Sequence, residues 1–514
     1  TLHLFAVAGL HVGIVARLLR TLAIMVRLPQ KWATGIIIPL LLFYATVTGL
    51  HVSSVRAAVM CSILLAGVFA ERNVFALNSL ASAAFFLLCW DTNEFFSTGF
   101  QLSFAVVGGI ILLADPLSRW LQKFGETDPF LPRGLVGRYR RVIGSAYKWI
   151  CRGCSVSLAA WLGSLPLIFA YFHLITPSSV FANLLVVPLA FFILAIALVS
   201  LATAPISPTL SVIFNNANWS LASGVIALVH WCAQLSGSHY YAAQPHWPNG
   251  VCARITVFDL GAGAAVHIQS AGEDWLLDCG TLRDYERTLR PYLHAVGVNR
   301  VDGLLLSHGD SRHIGGASAL IADFFPRVVI DNSAVDRSSV HRGLRAALTA
   351  HRTSVSSLSG GECFTVAPDV SGKILFPPRG FSATATDDEA LVVQLSVKAT
   401  KILFMSDSGY ATERALISSR VDLQSDILVK GQNHSGNSGL DAFLDLVQPR
   451  VIVATSRDFP QHERIPDEWA ERVRGRGIKL FRQDETGAVE LQFYPDTWRA
   501  RAFATGEIFR SDNR

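Results

Sequence analysis

The chain has 514 residues, of which 51% are hydrophobic and 16% charged, with a formal net charge of +5. A charged fraction so far below the roughly 25% of ordinary soluble domains excludes a disordered chain and a water-soluble enzyme along its whole length. Eight scattered cysteines exclude a disulfide-stapled scaffold, and Cys151 and Cys154, the one pair at ligand-like spacing, are expected to be small side chains at a helix start.

Charge is divided unevenly along the chain. Residues 1–250 carry 14 Lys and Arg against 6 Asp and Glu, the remainder 30 against 33, and from Gly153 to Ala253 there is no charged side chain. The sequence opens at Thr1 inside an apolar stretch with no initiator Met and no cleavable signal, so an upstream region is expected to be missing.

A membrane-spanning helix needs about 20 mostly apolar residues, because hydrocarbon offers no water to pair backbone groups. Stretches 4–26, 34–50, 55–70, 74–90, 100–114, 156–175, 179–204 and 210–235 meet this, giving about eight expected spans. Lys and Arg of short loops stay in the cytoplasm. Arg27 and Lys31 mark one such loop, and the expected long loop from Leu117 to Arg152, with eight cations against Glu126 and Asp128, marks another four spans later. Three further spans then place the second half of the chain outside the cytoplasm.

Polar residues lie within the apolar stretches: His11, Thr46, Thr48, His51, Arg56, Gln101, Ser103, His173 and Asn183. Such groups are costly in a bilayer and face a bundle interior or a wet path. His11, Arg56, Gln101, Ser103 and Asn183 are the candidate channel residues, with interhelical hydrogen bonding as the alternative. Gly9, Gly13, Gly49, Gly99, Gly108 and Gly109 are expected to allow close helix packing, and Pro39, Pro166 and Pro188 to kink or break helices.

From Arg254 short β-rich runs (255–260, 265–269, 275–277, 303–307, 327–330, 401–405, 426–429, 450–454) alternate with amphipathic stretches (286–296, 316–324, 410–418, 439–447, 466–474). This alternation predicts a layered α/β/β/α sandwich. Within it Ser307-His308-Gly309-Asp310-Ser311-Arg312-His313-Ile314-Gly315-Gly316 has the look of a damaged metal-binding loop.

Four ordered segments carry a family resemblance. HLFAVAGLHVG (His3 to Gly13), VSSVRAA (Val52 to Ala58), GFQLSF (Gly99 to Phe104) and ANLLVVP (Ala182 to Pro188) resemble signatures of ComEC-type competence proteins, channels for DNA uptake. The second half resembles the metallo-β-lactamase fold attached to those channels. The resemblance implies an α-helical polytopic membrane domain (residues 1–242), a linker (243–253), an α/β metallo-β-lactamase-like domain (254–500) and a C-terminal tail (501–514).

It also implies ligands. His308, Asp310 and His313 match the family's S/T-H-x-D-x-D-H loop, Asp407 its LLTGD carboxylate and His434 the second His of LKVPHHGS, with Asp310 and Asp407 as candidate catalytic carboxylates. Asp278 matches a turn that orients the loop. Departures accompany the matches: Arg312 stands for the second Asp, Asn433 for the first His, Ser406 for a Gly, and Ala262 and Ala264 for polar residues of DVGQGDA. A guanidinium has no lone pair for a metal and repels the cation beside it. The two cations about 4 Å apart of a phosphodiesterase are therefore not expected. One Zn or Mn ion or none, and a weak or inactive nuclease, are. His462 is a weaker candidate as a late ligand.

The implied function is a channel component passing single-stranded DNA through the inner membrane during natural transformation. Implied partners are single-stranded DNA, membrane lipid, a DNA receptor, a cytoplasmic translocase and a second copy of the chain. The alternatives from the residues are a membrane-tethered metal-dependent phosphodiesterase, or a transporter of another solute.

Overall fold

A computed structural model describes the chain except residues 1–8, 72–74, 126–136, 236, 243–249, 262, 333–337, 352, 384, 434–437, 458–463 and 513–514. It divides into two compact units, Thr1–Ala242 and Ala243–Arg514.

The first unit contains helices α1 (Gly9–Met25), α2 (Gln30–Val47), α3 (Val52–Phe69), α4 (Ala76–Trp90), α5 (Thr98–Gln122), α6 (Arg138–Phe172), α7 (Ser178–Thr203) and α8 (Pro208–Gln234). Six of them, α2, α3 and α5 to α8, are long and apolar enough to cross a membrane; α4 has 15 residues and α1 has 17. Local chemistry sets several ends. Ser97 caps α5 by accepting from the Phe100 N–H, Ser207 caps α8 ahead of Pro208, and His173 ends α6 in a left-handed conformation.

Two expectations change. Helices α2, α6 and α7 run unbroken through Pro39, Pro166 and Pro188. The expected loop from Leu117 to Arg152 is largely helical: α5 continues to Gln122, and α6 starts at Arg138, so Arg140, Lys148 and Arg152 stand on a helix. At 1.5 Å per residue the 35 residues of α6 extend about 52 Å, well beyond a 30 Å hydrocarbon core.

Helices α5 and α6 cross at glycines. A Cβ on Gly109 would lie 2.8 Å from Gly163 Cα and 2.9 Å from the Ala159 carbonyl; one on Gly163 would lie 2.7 Å from the Ala105 carbonyl. Gly13 has nothing within 4 Å of such a Cβ, and Gly49 serves a turn at φ 83°. Elsewhere Val12, Leu41 and Ala58 join α1, α2 and α3, while Val186, Val225 and Val229 join α7 and α8.

The second unit is an αββα sandwich. One sheet orders its strands Ile508–Arg510, Trp498–Ala502, Val489–Phe493, Ala253–Val257, Val266–Ser270, Glu273–Leu277, Gly303–Leu305, Val328–Asn332 and Ser354–Leu358. The other orders Lys479–Arg482, Val451–Ala454, Ile427–Lys430, Thr400–Phe404, Val392–Val397, Val370–Phe376 and Cys363–Ala367. Apolar side chains such as Ile255, Ile268, Val393, Ile402 and Ile427 fill the space between the sheets. Helices over 282–295, Ala317–Phe324 and Ser339–His351 cover one outer face, and Tyr410–Ser418, Asp441–Val447 and Asp467–Gly475 the other.

In both sheets the parallel strands end in loops that carry the polar residues described below. The segment expected as a tail from residue 501 instead completes strand Trp498–Ala502 and forms the edge strand Ile508–Arg510. Trp498, Ala500 and Ala502 alternate inward, which holds it to the sheet.

Candidate functional site

Four chain segments meet at the ends of the central strands. After Gly303–Leu305 come Ser307 and His308, then the short helix Ser311–Ile314 presenting His313. After Thr400–Phe404 come Ser406 and Asp407, and after Ile427–Lys430 come Gln432 and Asn433. Ahead of Val392–Val397 the turn Asp387–Glu389 closes the site. That turn is held against the metal-type loop by Leu391 N–H donating to Ser307 O at 2.9 Å, and by Asn332, whose amide reaches both Ser307 O and Glu389 O.

Asp278 organises the centre. It is fully buried at φ 58°, and accepts from Ser307 N at 2.8 Å, Ser307 Oγ at 2.6 Å and His313 Nδ1 at 2.7 Å. His313 Nε2 lies 2.9 Å from Asp407 Oδ2, and the other Asp407 oxygen accepts from Gln432 N at 3.1 Å. Burial opposes charge on His313, but the carboxylates of Asp407 and Asp278 outweigh it and hold its pKa well above the ordinary value. Burial works against the Asp407 carboxylate too, yet His313 keeps its pKa low.

The proton on His308 follows from its neighbours. Ser307 Oγ gives its one hydrogen to Asp278, so toward His308 Nδ1, 2.9 Å away, the hydroxyl can only accept. His308 therefore carries hydrogen on Nδ1 and a lone pair on Nε2. Burial and the adjacent His313 lower its pKa, which keeps the ring neutral. Its Nε2 is buried without a hydrogen-bond partner. An unsatisfied buried acceptor costs about 1–3 kcal/mol, and a cation is the partner that fits it.

The ligand atoms of His308, His313 and Asp407 lie within 4.8 Å of one another, as do those of His308, Asp310 and Asp387. A cation held there would polarise a phosphoryl oxygen and acidify bound water. His308 and Asp310 open onto a 390 Å³ cavity also lined by Asp331, His341, Asp387 and Glu389. A second 390 Å³ cavity is basic, lined by Tyr410, Lys430, Arg464, Trp469 and Arg472 with Glu468.

Asp310 also caps the short helix by accepting from Arg312 N at 2.9 Å, and Arg312 is exposed. Asn433 donates to the Asp407 carbonyl at 2.9 Å and packs against Gly409. Ser406 occupies a left-handed conformation, φ 48°, that a glycine adopts freely, and donates to Ser307 Oγ at 3.0 Å. His434, His462 and Ala262 lie outside the described residues. Sequence reasoning missed Ser307 and Asp387; the run Asp387-Asp388-Glu389 has the pattern of a solvated acidic turn, but Asp387 and Glu389 are buried.

In the membrane unit the structure ties two of the five candidate channel residues to one turn, Thr92–Phe96. Arg56, 7% exposed, meets Glu94 at 3.3 Å, and Ser97 donates to the same Glu94 oxygen. Gln101 donates to the Phe95 carbonyl at 3.0 Å and accepts from Tyr171 at 2.7 Å. His11, Ser103 and Asn183 are half-buried on α1, α5 and α7. Thr46 and Thr48 bond back to their own helix.

Known proteins align along both units. The Competence protein family matches residues 1–263, and the metallo-beta-lactamase superfamily matches residues 259–356. ComE operon protein 3 of Bacillus subtilis (strain 168) is 22% identical, over 96% of this chain and 68% of its own length. Competence protein ComA of Neisseria gonorrhoeae is 25% identical, over 95% and 70%. Among solved structures, the metallo-beta-lactamase fold protein YhfI from Bacillus subtilis aligns with 47% of this chain and 99% of its own at 13% identity and TM-score 0.35. With one family match spanning more than half of its length and a second following directly, this chain belongs to the competence protein family, in the ComEC-type arrangement that joins a membrane unit to a metallo-β-lactamase domain.

Proposed function

We propose that this protein passes single-stranded DNA through the cytoplasmic membrane during natural transformation, with its sandwich domain outside the cytoplasm. The observation that carries this is the match of the Competence protein family across the whole membrane unit. Polar groups around buried Arg56 and half-buried Gln101 suit a path for a polyanion, which needs hydrated and cationic surroundings. Lys430, Arg464 and Arg472 line a cavity on the sandwich domain with the charge to meet a strand backbone. A DNA receptor outside and a translocase inside are the partners this role requires. The sandwich domain, lacking the second loop carboxylate, acts as a weak hydrolase at most.

A chromosomal deletion tests the role, scored for transformation and internalised DNA, with surface binding of duplex DNA scored separately. Loss of entry with binding retained is expected, and normal transformation refutes the proposal. Reporters test the orientation: one within 126–136 is expected in the cytoplasm and one after Gly250 outside. Because α4 extends only about 22 Å, finding 126–136 on the opposite side from Arg27 and Lys31 would show that α4 does not cross.

A further inference from the structure

We infer that the groove between α1, α6 and α7 binds one anionic phospholipid, its phosphate paired with Arg17 and an acyl chain lying along the apolar wall. The inference goes beyond the transport role and stands on the membrane unit alone.

Three observations carry it. The groove encloses 440 Å³ and is lined by Gly13, Ile14 and Arg17 of α1, Trp149 of α6, and Phe191 and Phe192 of α7. One cation beside a wall of aliphatic and aromatic side chains matches the polarity of a phospholipid, an anion joined to hydrocarbon. Arg17 stands eight residues before the end of α1 at Met25, about 12 Å along the axis, so its stem lies in the hydrocarbon and its head reaches toward the headgroups. Second, Arg17 is exposed, and among the described residues its guanidinium has no ion pair or hydrogen bond. The membrane unit has little to balance it: residues 1–250 hold 6 Asp and Glu against 14 Lys and Arg, and Glu71 and Glu94 are already paired with Lys31 and Arg56. A phosphate oxygen is the counter-charge a guanidinium takes best. Third, the groove is built open at one end and closed at the other. A Cβ on Gly13 would have nothing within 4 Å, whereas one on Gly153 would lie 2.6 Å from Leu184 Cδ1, which brings α6 against α7 one turn beyond Trp149.

The lining selects the occupant. A nucleic-acid strand brings a phosphate about every 3.4 Å and needs several cations and water along its length, but Arg17 is the one charged side chain of this groove. Trp149 is 61% exposed, as an indole at a membrane interface would be. Lys148 and Arg152, both exposed, stand before and after it on α6. A zwitterionic headgroup carries its own ammonium, which these cations and Arg17 repel. An anionic headgroup carries none, so the same cations favour it.

The test uses the full chain in detergent, titrated with phosphatidylglycerol or phosphatidylcholine carrying brominated acyl chains. Bromine quenches nearby tryptophans, and subtracting Trp149→Phe isolates this indole from the rest of the chain's 11. Phosphatidylglycerol is expected to quench Trp149 at lower concentration than phosphatidylcholine. Arg17→Gln should weaken its binding about fivefold, the worth of one cation at a membrane surface, while Arg119→Gln on α5 leaves it unchanged. Gly13→Leu fills the open end without altering charge and should weaken binding of both lipids. Thermal melts of each variant show whether it folds. Equal quenching by the two lipids, a folded Arg17→Gln or Gly13→Leu that binds like the parent, or displacement of the lipid by a single-stranded oligonucleotide overturns the inference. The readout is lipid binding alone, so it is independent of DNA entry scored in the deletion strain.

Discussion

Adding one methyl group to Gly163 should destabilise the membrane unit by about 1–2 kcal/mol. The new Cβ would meet the Ala105 carbonyl at 2.7 Å and Gly109 Cα at 2.9 Å. Comfortable carbon contacts begin near 3.5 Å, so α5 and α6 must part by roughly 0.7 Å. Every atom in the way is backbone, and no rotamer change relieves it. Overpacking of this kind costs about 1–3 kcal/mol, offset by up to about 1 kcal/mol of better helix propensity for Ala. Gly109→Ala drives the same separation, with contacts of 2.8 and 2.9 Å from the other side. The double variant should therefore cost less than the sum of the two, since one displacement accommodates both methyls. Gly224→Ala on α8, with nothing within 4 Å, is the control. The assay is denaturant or thermal unfolding of the full chain in detergent. Single variants as stable as the parent, or a fully additive double, refute the close crossing.

Glu94→Gln leaves the Arg56 guanidinium buried without its counter-charge and is expected to destabilise by about 3 kcal/mol, read in the same unfolding assay; an unchanged transition would show the pair to be incidental. Asp278→Asn keeps the shape and tolerates the left-handed backbone but removes the charge accepting from Ser307 and His313. A loss of about 2–3 kcal/mol is expected, and unaltered denaturant unfolding would refute its organising role. Asp484 links stability to pH. Burial raises its pKa, but hydrogen bonds from buried Arg482 prevail and lower it below the ordinary carboxylate value. A depressed folded pKa means stability present above the unfolded value near 3.8 and lost as pH falls through the folded one. Melts of the parent should thus fall more steeply below about pH 4 than melts of Asp484→Asn; parallel curves would refute this.

The sequence makes long apolar helices legible because hydrocarbon permits no other backbone arrangement. It is less informative where charge sits on helix. Arg138 to Arg152 carries enough cations to look like a loop, yet it is the start of α6, and prolines expected to kink or break helices are carried inside them without a break. Of the six glycines expected at close contacts, Gly109 meets its partner helix through Gly163, whose position opposite it follows only from the packing. In the sandwich, apolar central strands are legible, while Ser354–Leu358, polar and largely exposed, and Trp498–Ala502, alternating with arginines, are not. His308, His313 and Asp407 stand out as residue types on strand-end loops. Asp387 does not, because what places it beside His308 is a hydrogen bond from Leu391 to Ser307, 84 positions earlier. Glu94 is hidden for the same reason, paired with an arginine 38 positions away.

Helix α6 is continuous from its arginine-rich start to Phe172, with Pro166 near its far end. Lys148 and Gly163 stand 15 residues apart on it, about 22 Å, and an α-helix bends only gently over such a distance unless something interrupts its ladder. A pull or twist applied at the cationic end is therefore delivered to the glycine crossing almost undiminished. There the clearance is too small for a methyl group, so α6 has little freedom to slide across α5 in response. The stiffness of this stretch and the narrowness of one contact together make the crossing the place where α6 is pinned against α5, ahead of Pro166, where the ladder loses a bond before Tyr171 reaches Gln101.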